Sequence, residues 1–158
     1  MQGPEESSGT NTTVFQLFHN YTCISVQLAG KPFTVVGDGT QTRDFTYVSD
    51  VVDALVKAAE SDINCEITNI GSGNTYSVNC LVELLGGEVV YIPKRPGEPD
   101  LTWADITKAK KILGWKPKVN LERGVKILLD NIDYWREAPV WDKKSIAKAT
   151  EKWFEYLG

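Results

Sequence analysis

The fold is decided by one stretch, FTVVGDGTQTRDFTYVSDVVDALVKAAE, which spans residues 33 to 60. Its β-branched start, Phe33 to Val36, predicts a short strand that ends at the turn Gly37-Asp38-Gly39. Beyond the turn, Ser49 is a candidate N-cap for a helix that runs to about Glu60. We expect this helix to bury an apolar face at helical spacing, formed by Val51, Val52, Leu55, Val56 and Ala59.

Further short strands and helices follow along the chain. Glu66 to Ile70 and Glu88 to Ile92 read as strands, and between them Ser77 is the expected cap of a helix that runs through Leu85 and stops at Gly86-Gly87. Strands that are each followed by a helix indicate an α/β domain with few short strands and flanking helices. Three strands make a thin sheet for 158 residues, so we expect the sheet to continue beyond this chain.

The second half of the chain is predicted to be mainly helical. Asp105 is the expected cap of a short helix through Leu113, which ends at Gly114. A longer helix is predicted from Leu121 to Glu137, and a last helix is predicted after a cap at Asp142. We expect the last helix to bury three side chains, those of Ile146, Ala149 and Trp153.

Composition excludes several classes of function. The formal net charge is −4 and no basic run occurs, so a footprint for nucleic acid or for a membrane surface is absent. No stretch reaches the roughly 20 apolar residues of a spanning helix, and we predict a cytoplasmic protein. The single histidine, His19, and three cysteines without ligand spacing make a zinc site or a histidine-based triad an unsupported reading.

Two ordered signatures resemble a known family. The first is Gly37 to Asp50, GDGTQTRDFTYVSD, and the second combines Lys94 to Pro99, KRPGEP, with Ala104 to Ala109, ADITKA, and Leu113 to Pro117, LGWKP. Together they resemble the NAD-dependent epimerase/dehydratase family of extended short-chain dehydrogenases. Within it, UDP-glucose 4-epimerases are the most similar subgroup.

The resemblance implies an architecture and a class of ligand. The chain looks like the small substrate-binding half of such an enzyme, without the main Rossmann sheet. Residues 1–29 would be an atypical N-terminal loop and helix, with the helix beginning near Val14, and residues 30–158 a nucleotide-sugar-binding α/β domain with C-terminal helices. The expected ligand is a UDP- or dTDP-linked hexose. NAD serves the full-length family, but none is expected to bind this chain alone.

Five residues match the family's substrate-binding positions. By resemblance Arg43 and Arg95 contact the pyrophosphate, which agrees with the fit of guanidinium donors to phosphate oxygens. Glu98 matches the position that accepts hydrogen bonds from the ribose hydroxyls. Thr34 and Val36 match positions that line the base, although an aromatic residue is usual at the second.

Ordinary structural roles compete with these assignments. Arg43 could form a surface ion pair with Asp38 or Asp44, and Arg95 could form one with Glu98. Val36 could be no more than a buried strand residue. The C-terminal aromatic residues suit either helix packing or a surface for a partner, and they are Trp135, Trp141, Trp153, Phe154 and Tyr156.

The sequence contains no catalytic or cofactor motif of the family. None of its tyrosines is followed four residues later by lysine, the pair that carries the acid–base chemistry in these enzymes. Gly71-Ser72-Gly73 follows a predicted strand, but Tyr76 stands where the third glycine of a dinucleotide fingerprint belongs. We therefore predict a tight connection there, and we assign no catalytic, cofactor-binding or metal-binding residue.

Three hypotheses remain open from the sequence. The chain is a nucleotide-sugar-binding fragment of a 4-epimerase or 4,6-dehydratase that does not turn over by itself. Alternatively, it is a non-catalytic interaction or regulatory module that kept the fold and associates, for example as a homo-oligomer. In the third hypothesis, it forms a complete enzyme with a separate NAD-binding portion.

Overall fold

The computed structural model describes Val26, residues 28–137 and residues 142–157, and eleven elements follow one another in that part of the chain. The strands are β1 (Phe33–Val36), β2 (Thr42–Arg43), β3 (Tyr76–Ser77) and β4 (Val89–Ile92). The helices are α1 (Val48–Ala59), α2 (Val78–Leu85), α3 (Thr107–Leu113), α4 (Leu121–Asp130), a 3-10 turn (Ile132–Trp135), α5 (Lys143–Ala149) and α6 (Glu151–Leu157).

Two small sheets organise these elements. β1 and β4 pair in parallel, with Phe33 opposite Val89 and Val36 opposite Ile92. β2 and β3 pair antiparallel over two residues each. The parallel pair places the carboxyl ends of β1 and β4 side by side, so the turn at Gly37 and the loop at 93–99 leave the sheet together.

One hydrophobic cluster packs α2 and α4 against β1. Its buried members lie on the strand, on the two helices and at Val26, and they are Val26, Phe33, Val35, Leu81, Val82, Leu85, Leu121 and Val125. Burial of each large side chain contributes about 1.5–3 kcal/mol relative to exposure, so this cluster is the principal stabilising contact of the described fold.

A second cluster surrounds Trp115, which is fully buried with Ala54, Ile106 and Ala109. The indole N–H of Trp115 donates to the main-chain carbonyl of Asp50 at 3.0 Å. The Asp50 carboxylate is itself buried and accepts the N–H groups of Lys118 and Val119 at 3.1 and 3.0 Å. These bonds tie the start of α1 to the loop after α3, because each buried donor needs an acceptor.

The predicted strand at Glu66 to Ile70 is wrong. None of residues 62–75 belongs to a strand, and Ile67 is 87% exposed. A strand requires a ladder partner for its backbone groups, and no strand of the described chain lies beside this segment. β-branched composition alone could not reveal that absence.

The predicted face of α1 is also wrong. Val52, Leu55 and Val56 are about half exposed or more, at 52%, 64% and 48%, whereas Asp50 and Ala54 are the buried residues of the helix. The residue before the helix is Tyr47, and no side chain caps its first N–H groups, so Ser49 is not the N-cap. The side of the helix that carries Asp50 and Ala54 packs toward Trp115, because the hydrogen bonds of Asp50 hold it in that orientation.

Other helix boundaries follow their local signals. Ser77 caps α2 by accepting the Cys80 N–H at 3.1 Å, and Gly86 ends the helix, as predicted. Gly114 adopts the left-handed conformation that ends α3. Asp105 accepts the Thr107 N–H at 2.9 Å, but it stands one residue before the cap position.

The C-terminal helices are shorter than predicted. α4 ends at Asp130 rather than at Glu137 and passes into the 3-10 turn. Asp142 forms a capping box with Ser145, which confirms the predicted cap. The helix after that cap is interrupted at Thr150, and Ala149 is exposed rather than buried, while Trp153 is half-buried.

The predicted N-terminal loop, most of the helix from Val14 to Leu28 and the predicted surface role of His19 lie outside the described residues. Among the helices that are described, none is long and apolar enough to cross a membrane.

Candidate functional site

The turn after β1 is built on two left-handed glycines. Gly37 and Gly39 have φ values of 65° and 76°, which glycine adopts without strain. Between them, Asp38 accepts hydrogen bonds from the Thr40 N–H at 3.0 Å and the Thr40 hydroxyl at 2.7 Å. These bonds hold the pKa of the Asp38 carboxyl below its ordinary value of 3.8.

The N-terminus of α2 fastens the same turn. The Asn79 side chain donates to the Asp38 carbonyl at 2.9 Å, and the Asn79 N–H donates to the Gly39 carbonyl at 3.0 Å. A Cβ at Gly39 would lie 1.9 Å from Asn79 Oδ1, so this contact demands glycine. The turn is therefore a rigid end for the strand that leads into the site.

Asp44 anchors the segment after Arg43. Its carboxylate is 1% exposed and accepts the main-chain N–H groups of Ser72 at 2.6 Å and Ala104 at 3.3 Å, together with the Thr46 hydroxyl at 3.2 Å. Three separate parts of the chain thus meet at one carboxylate. These hydrogen bonds fix the main chain of β2 and therefore the direction in which the Arg43 side chain leaves the strand.

Arg43 and Glu98 form a half-buried ion pair. Arg43 Nη2 lies 3.2 Å from Glu98 Oε1, and the two side chains are only 16% and 14% exposed. Arg43 Nη1 also donates to the Thr42 carbonyl at 2.8 Å. The sequence alternative that pairs Arg43 with Asp38 or Asp44 is wrong, because its carboxylate partner comes from 55 residues further along the chain.

Arg95 takes a different partner from the one that its spacing suggested. Its guanidinium carbon lies over the Trp153 ring, 5.9 Å from the ring centroid, in a cation–π contact, and the alternative ion pair with Glu98 is not formed. Arg95 Nε and Glu98 Oε2 are both buried and have no hydrogen-bond partner in the described part of the chain. The loop at 93–99 therefore contains one buried donor and one buried acceptor that no described residue satisfies.

A cleft of about 420 Å³ opens beside these residues. Of the five predicted site residues, Val36 and Glu98 line it, and Arg43 adjoins it through Glu98. Gln41 is a lining residue that the sequence analysis missed, and its amide donates to the Val36 carbonyl at 2.8 Å. Gln41 lies within the signature from Gly37 to Asp50, but its role could not be predicted, because it depends on how the turn folds back onto β1.

The other wall of the cleft carries an ion pair between Lys94 and Asp100. The Asp100 carboxylate raises the pKa of Lys94 above its ordinary value of 10.5, because the bond favours the protonated amine. Both side chains are largely exposed, so this pair contributes little to stability.

Thr34 and Val36 share one side of β1. The Phe33 N–H donates to the Glu88 carbonyl at 2.7 Å, and the Gly37 N–H donates to the Ile92 carbonyl at 2.8 Å. The backbone groups of the odd-numbered residues of β1 therefore point toward β4. The backbone groups of Thr34 and Val36 consequently point to the opposite edge. A planar ligand with donors and acceptors on its rim could pair with that edge.

The arrangement suits the binding of a polar ligand. It joins guanidinium donors, a carboxylate acceptor and an open strand edge, which are groups that recognise phosphate, hydroxyl and base. Among residues 28–137 and 142–157, no group of three potential metal ligands converges.

The connection at Gly71-Ser72-Gly73 does not fit the pyrophosphate of NAD. The Ser72 N–H, which would have to face an anion, is bonded to the Asp44 carboxylate at 2.6 Å. A Cβ at Gly71 would lie 2.5 Å from an Asp44 oxygen, so that carboxylate fills the space against the glycine. A fixed negative charge at this place repels a phosphate.

Two models of known protein families match separate stretches of this chain. Residues 4–71 match the family model of the NAD dependent epimerase/dehydratase family, and residues 86–128 match that of GDP-mannose 4,6 dehydratase. Over these stretches the chain is similar to the NAD-dependent epimerase/dehydratase family. The described part of the chain has the fold of a small portion of an extended short-chain dehydrogenase, as the sequence resemblance predicted.

The curated relatives are longer than the stretch that they share with this chain. The UDP-glucuronate 4-epimerase of Thermodesulfobacterium geofontis is 39% identical over 103 residues, which are 61% of this chain and 32% of that protein. A putative UDP-glucose 4-epimerase of Methanocaldococcus jannaschii is 43% identical over 98 residues, 58% of this chain and 31% of its own length. The chain thus spans about a third of the length of the curated relatives it matches.

Solved structures show the same partial similarity to longer proteins. The UDP-glucuronic acid 4-epimerase of Bacillus cereus, in complex with UDP-glucuronic acid and NAD, superimposes with a TM-score of 0.66 at 37% identity, covering 72% of this chain and 38% of that one. The UDP-glucose 4-epimerase of Thermotoga maritima, with UDP-glucose, gives 0.64 at 40% identity, with 73% and 38% covered.

Proposed function

We propose that this chain binds the nucleoside diphosphate part of a UDP- or dTDP-linked hexose, through Arg43, Arg95, Glu98, Thr34 and Val36. It is the substrate-binding portion of an NAD-dependent nucleotide-sugar epimerase or dehydratase, most like UDP-glucose 4-epimerase. Residues 30–158 form the nucleotide-sugar-binding domain in this proposal, after a distinct N-terminal segment of residues 1–29.

The observation that carries the proposal is the half-buried contact between Arg43 and Glu98. A buried ion pair costs desolvation, and here the carboxylate keeps one buried oxygen without a partner, as Arg95 keeps its Nε. A ligand with phosphate oxygens for the guanidinium groups and hydroxyls for Glu98 satisfies all of these groups together. A sugar nucleotide has both kinds of group.

The roles that we propose for the individual residues are those that the family resemblance implies. The two arginines would hold the diphosphate, Glu98 would accept from the ribose hydroxyls, and the open edge of β1 at Thr34 and Val36 would receive the base. Gln41 would hold the Val36 carbonyl in place beside the cleft.

In this proposal the chain carries no catalytic residue and holds no NAD by itself. The sequence lacks the Tyr-x-x-x-Lys pair, and the glycine connection at 71–73 is closed by Asp44. NAD, when present, belongs to a further portion with which this domain associates. A cytoplasmic location remains the prediction from composition.

The exposed apolar face of α1 supports that association. Val52, Leu55 and Val56 lie on one side of the helix without cover from the described residues, and a soluble helix rarely exposes such a face. About two thirds of the length of each matched relative lies outside the stretch that this chain matches, and a solved relative is a complex with NAD. The occupant we propose for this face is such an NAD-binding portion.

Isothermal titration tests the binding proposal. We expect UDP, UDP-glucose or dTDP-glucose to bind the 158-residue chain with a stoichiometry of one and NAD to give no heat. Replacing Arg43 by alanine should weaken binding of UDP by about 10- to 100-fold, because a charged hydrogen bond is lost. The exposed Arg123→Ala is the matched control and should bind as the unmodified chain does.

The opposite result is equally clear. Heat on addition of NAD without any on addition of a sugar nucleotide would overturn the proposal. A stable homo-oligomer that ignores sugar nucleotides, found by size-exclusion chromatography with light scattering, would instead favour the interaction-module hypothesis.

A further inference from the structure

The C-terminal helix α6 contacts the candidate site through a single side chain. Of the α6 side chains that the structure describes, only Trp153 is half-buried, and the others are exposed. Its indole N–H donates to the Pro96 carbonyl at 2.7 Å, across 57 residues of sequence. Its ring lies under the guanidinium of Arg95, 5.9 Å from the Arg95 Cζ atom.

These two contacts act on the same loop. Pro96 directly follows Arg95, so one indole fixes both the main chain of the loop and the side chain that projects from it. The loop has three prolines in seven residues and one internal main-chain bond at this end, from the Glu98 N–H to the Arg95 carbonyl at 3.3 Å. Without Trp153 little else in the described chain would hold Arg95 in one orientation.

Stacking also leaves the arginine able to bind. A guanidinium that packs its flat face on an aromatic ring keeps its N–H donors in the free plane, where phosphate oxygens meet them two at a time. Arg95 Nε is buried and has no acceptor among the described residues. The stacked arginine is therefore oriented and still has an unused donor.

α6 is itself held in place from α5. Thr150 joins the two helices, with its hydroxyl donating to the Ile146 carbonyl at 2.9 Å and its carbonyl accepting the Phe154 N–H at 3.2 Å. α5 begins at the capping box of Asp142 and Ser145. The indole is thus carried by a helix that is joined to α5.

We propose that Trp153 is a positioning residue for the phosphate-binding end of the site, where it orients Arg95 and holds the 93–99 loop. This inference rests on the proposed function for the ligand, whereas the loop contact stands on the geometry alone. It assigns a role in substrate binding to the C-terminal helix.

The loop contact is tested without any ligand. In Trp153→Ala we expect the Glu98 amide to exchange its hydrogen about tenfold faster, since the loop opens more often. Trp153→Phe keeps an aromatic face but loses the N–H donor, so its exchange should be intermediate. Phe154→Ala, on the same helix, is the control and should leave that amide unchanged. Equal exchange in Trp153→Ala and the unmodified chain would overturn the loop contact.

The positioning role is tested by comparing two ligands. Trp153→Ala should weaken binding of UDP by about five- to tenfold and binding of uridine by a smaller factor, because only UDP carries phosphates for Arg95. In the background of Arg95→Ala, the same substitution should have a smaller effect on UDP than it has in the unmodified chain.

Failure of this inference differs from failure of the proposed function. If the unmodified chain binds UDP and Trp153→Ala weakens UDP and uridine equally, Trp153 has a merely structural role. If the unmodified chain does not bind UDP at all, the proposed function and the positioning role both fall, and the exchange experiment alone decides the loop contact.

Discussion

At the scale of single residues, two buried carboxylates hold loops that are far apart in sequence. Asp44 joins the segments at Ser72 and Ala104, and Asp50 joins the start of α1 to Lys118 and Val119. Both carboxylates lie within the segment that resembles the family signature. Part of that signature therefore serves to build the site rather than to touch a ligand.

Replacing Asp44 by alanine should destabilise the fold by about 3 kcal/mol, because two main-chain N–H groups lose a charged acceptor in a buried place. The free energy of unfolding from urea denaturation measures this effect. Asp130→Ala, at an exposed position of α4, is the control and should change it by less than about 0.5 kcal/mol. Equal free energies of unfolding for the two variants would show that the hydrogen bonds of Asp44 do not stabilise the fold.

The turn at Asp38 has a predictable dependence on pH. Bonds from Thr40 lower the folded-state pKa of this carboxyl below 3.8, so the turn is stabilised above that pH and loses this contribution as the pH falls through the lowered value. Thr40→Val should raise the pKa of Asp38 toward 3.8, as followed by carbon NMR of the carboxyl. Asp105, whose pKa is lowered by Thr107, should not move. An unchanged Asp38 pKa would contradict the assignment.

At the scale of elements, local signals predicted what local chemistry decides. β1, β4, the Ser77 cap, the Gly114 terminus and the Asp142 cap could all be read from the sequence, because a few neighbouring residues determine them. The irregular conformation of 66–70 and the buried face of α1 could not be, because both depend on tertiary contacts that the local sequence does not determine.

Two serines offer a matched test of the helix starts. Ser77→Ala should lower the free energy of unfolding by about 1 kcal/mol, since it removes the cap bond to Cys80. Ser49→Ala should be neutral or slightly stabilising, because Ser49 caps nothing and alanine favours a helix. Thermal or urea denaturation measures both. A larger loss of stability in Ser49→Ala than in Ser77→Ala would support Ser49 as the N-cap that the sequence predicted.

At the scale of the whole molecule, the site is assembled from remote parts. The resemblance named Arg43, Arg95 and Glu98, but their pairing could not be predicted from spacing, since Glu98 turns to Arg43 and Arg95 turns to Trp153. Trp153 carried no motif at all. Side-chain partners that are 55 or more residues apart depend on tertiary packing and leave no local pattern.

The apolar face of α1 that the described residues leave exposed should also be measurable. We expect the chain to enhance the fluorescence of an apolar dye such as ANS, and Val52→Lys with Leu55→Lys to reduce it, since both side chains are exposed and apolar. Their stability should change by less than about 0.5 kcal/mol. Tyr134→Lys, 84% exposed on the 3-10 turn, is the control and should keep the signal. Unaltered dye binding in the double variant would show that this face is covered.

The most direct test of the central claim follows the arginine side chains themselves. The chain has four arginines, and a titration of UDP into the ¹⁵N-labelled protein reports on each side-chain Nε–H group. We predict saturable shifts for Arg43 and Arg95, with Arg123 and Arg136 unmoved. No shift in either member of the first pair, or equal shifts in all four, would contradict a nucleoside diphosphate site at this place.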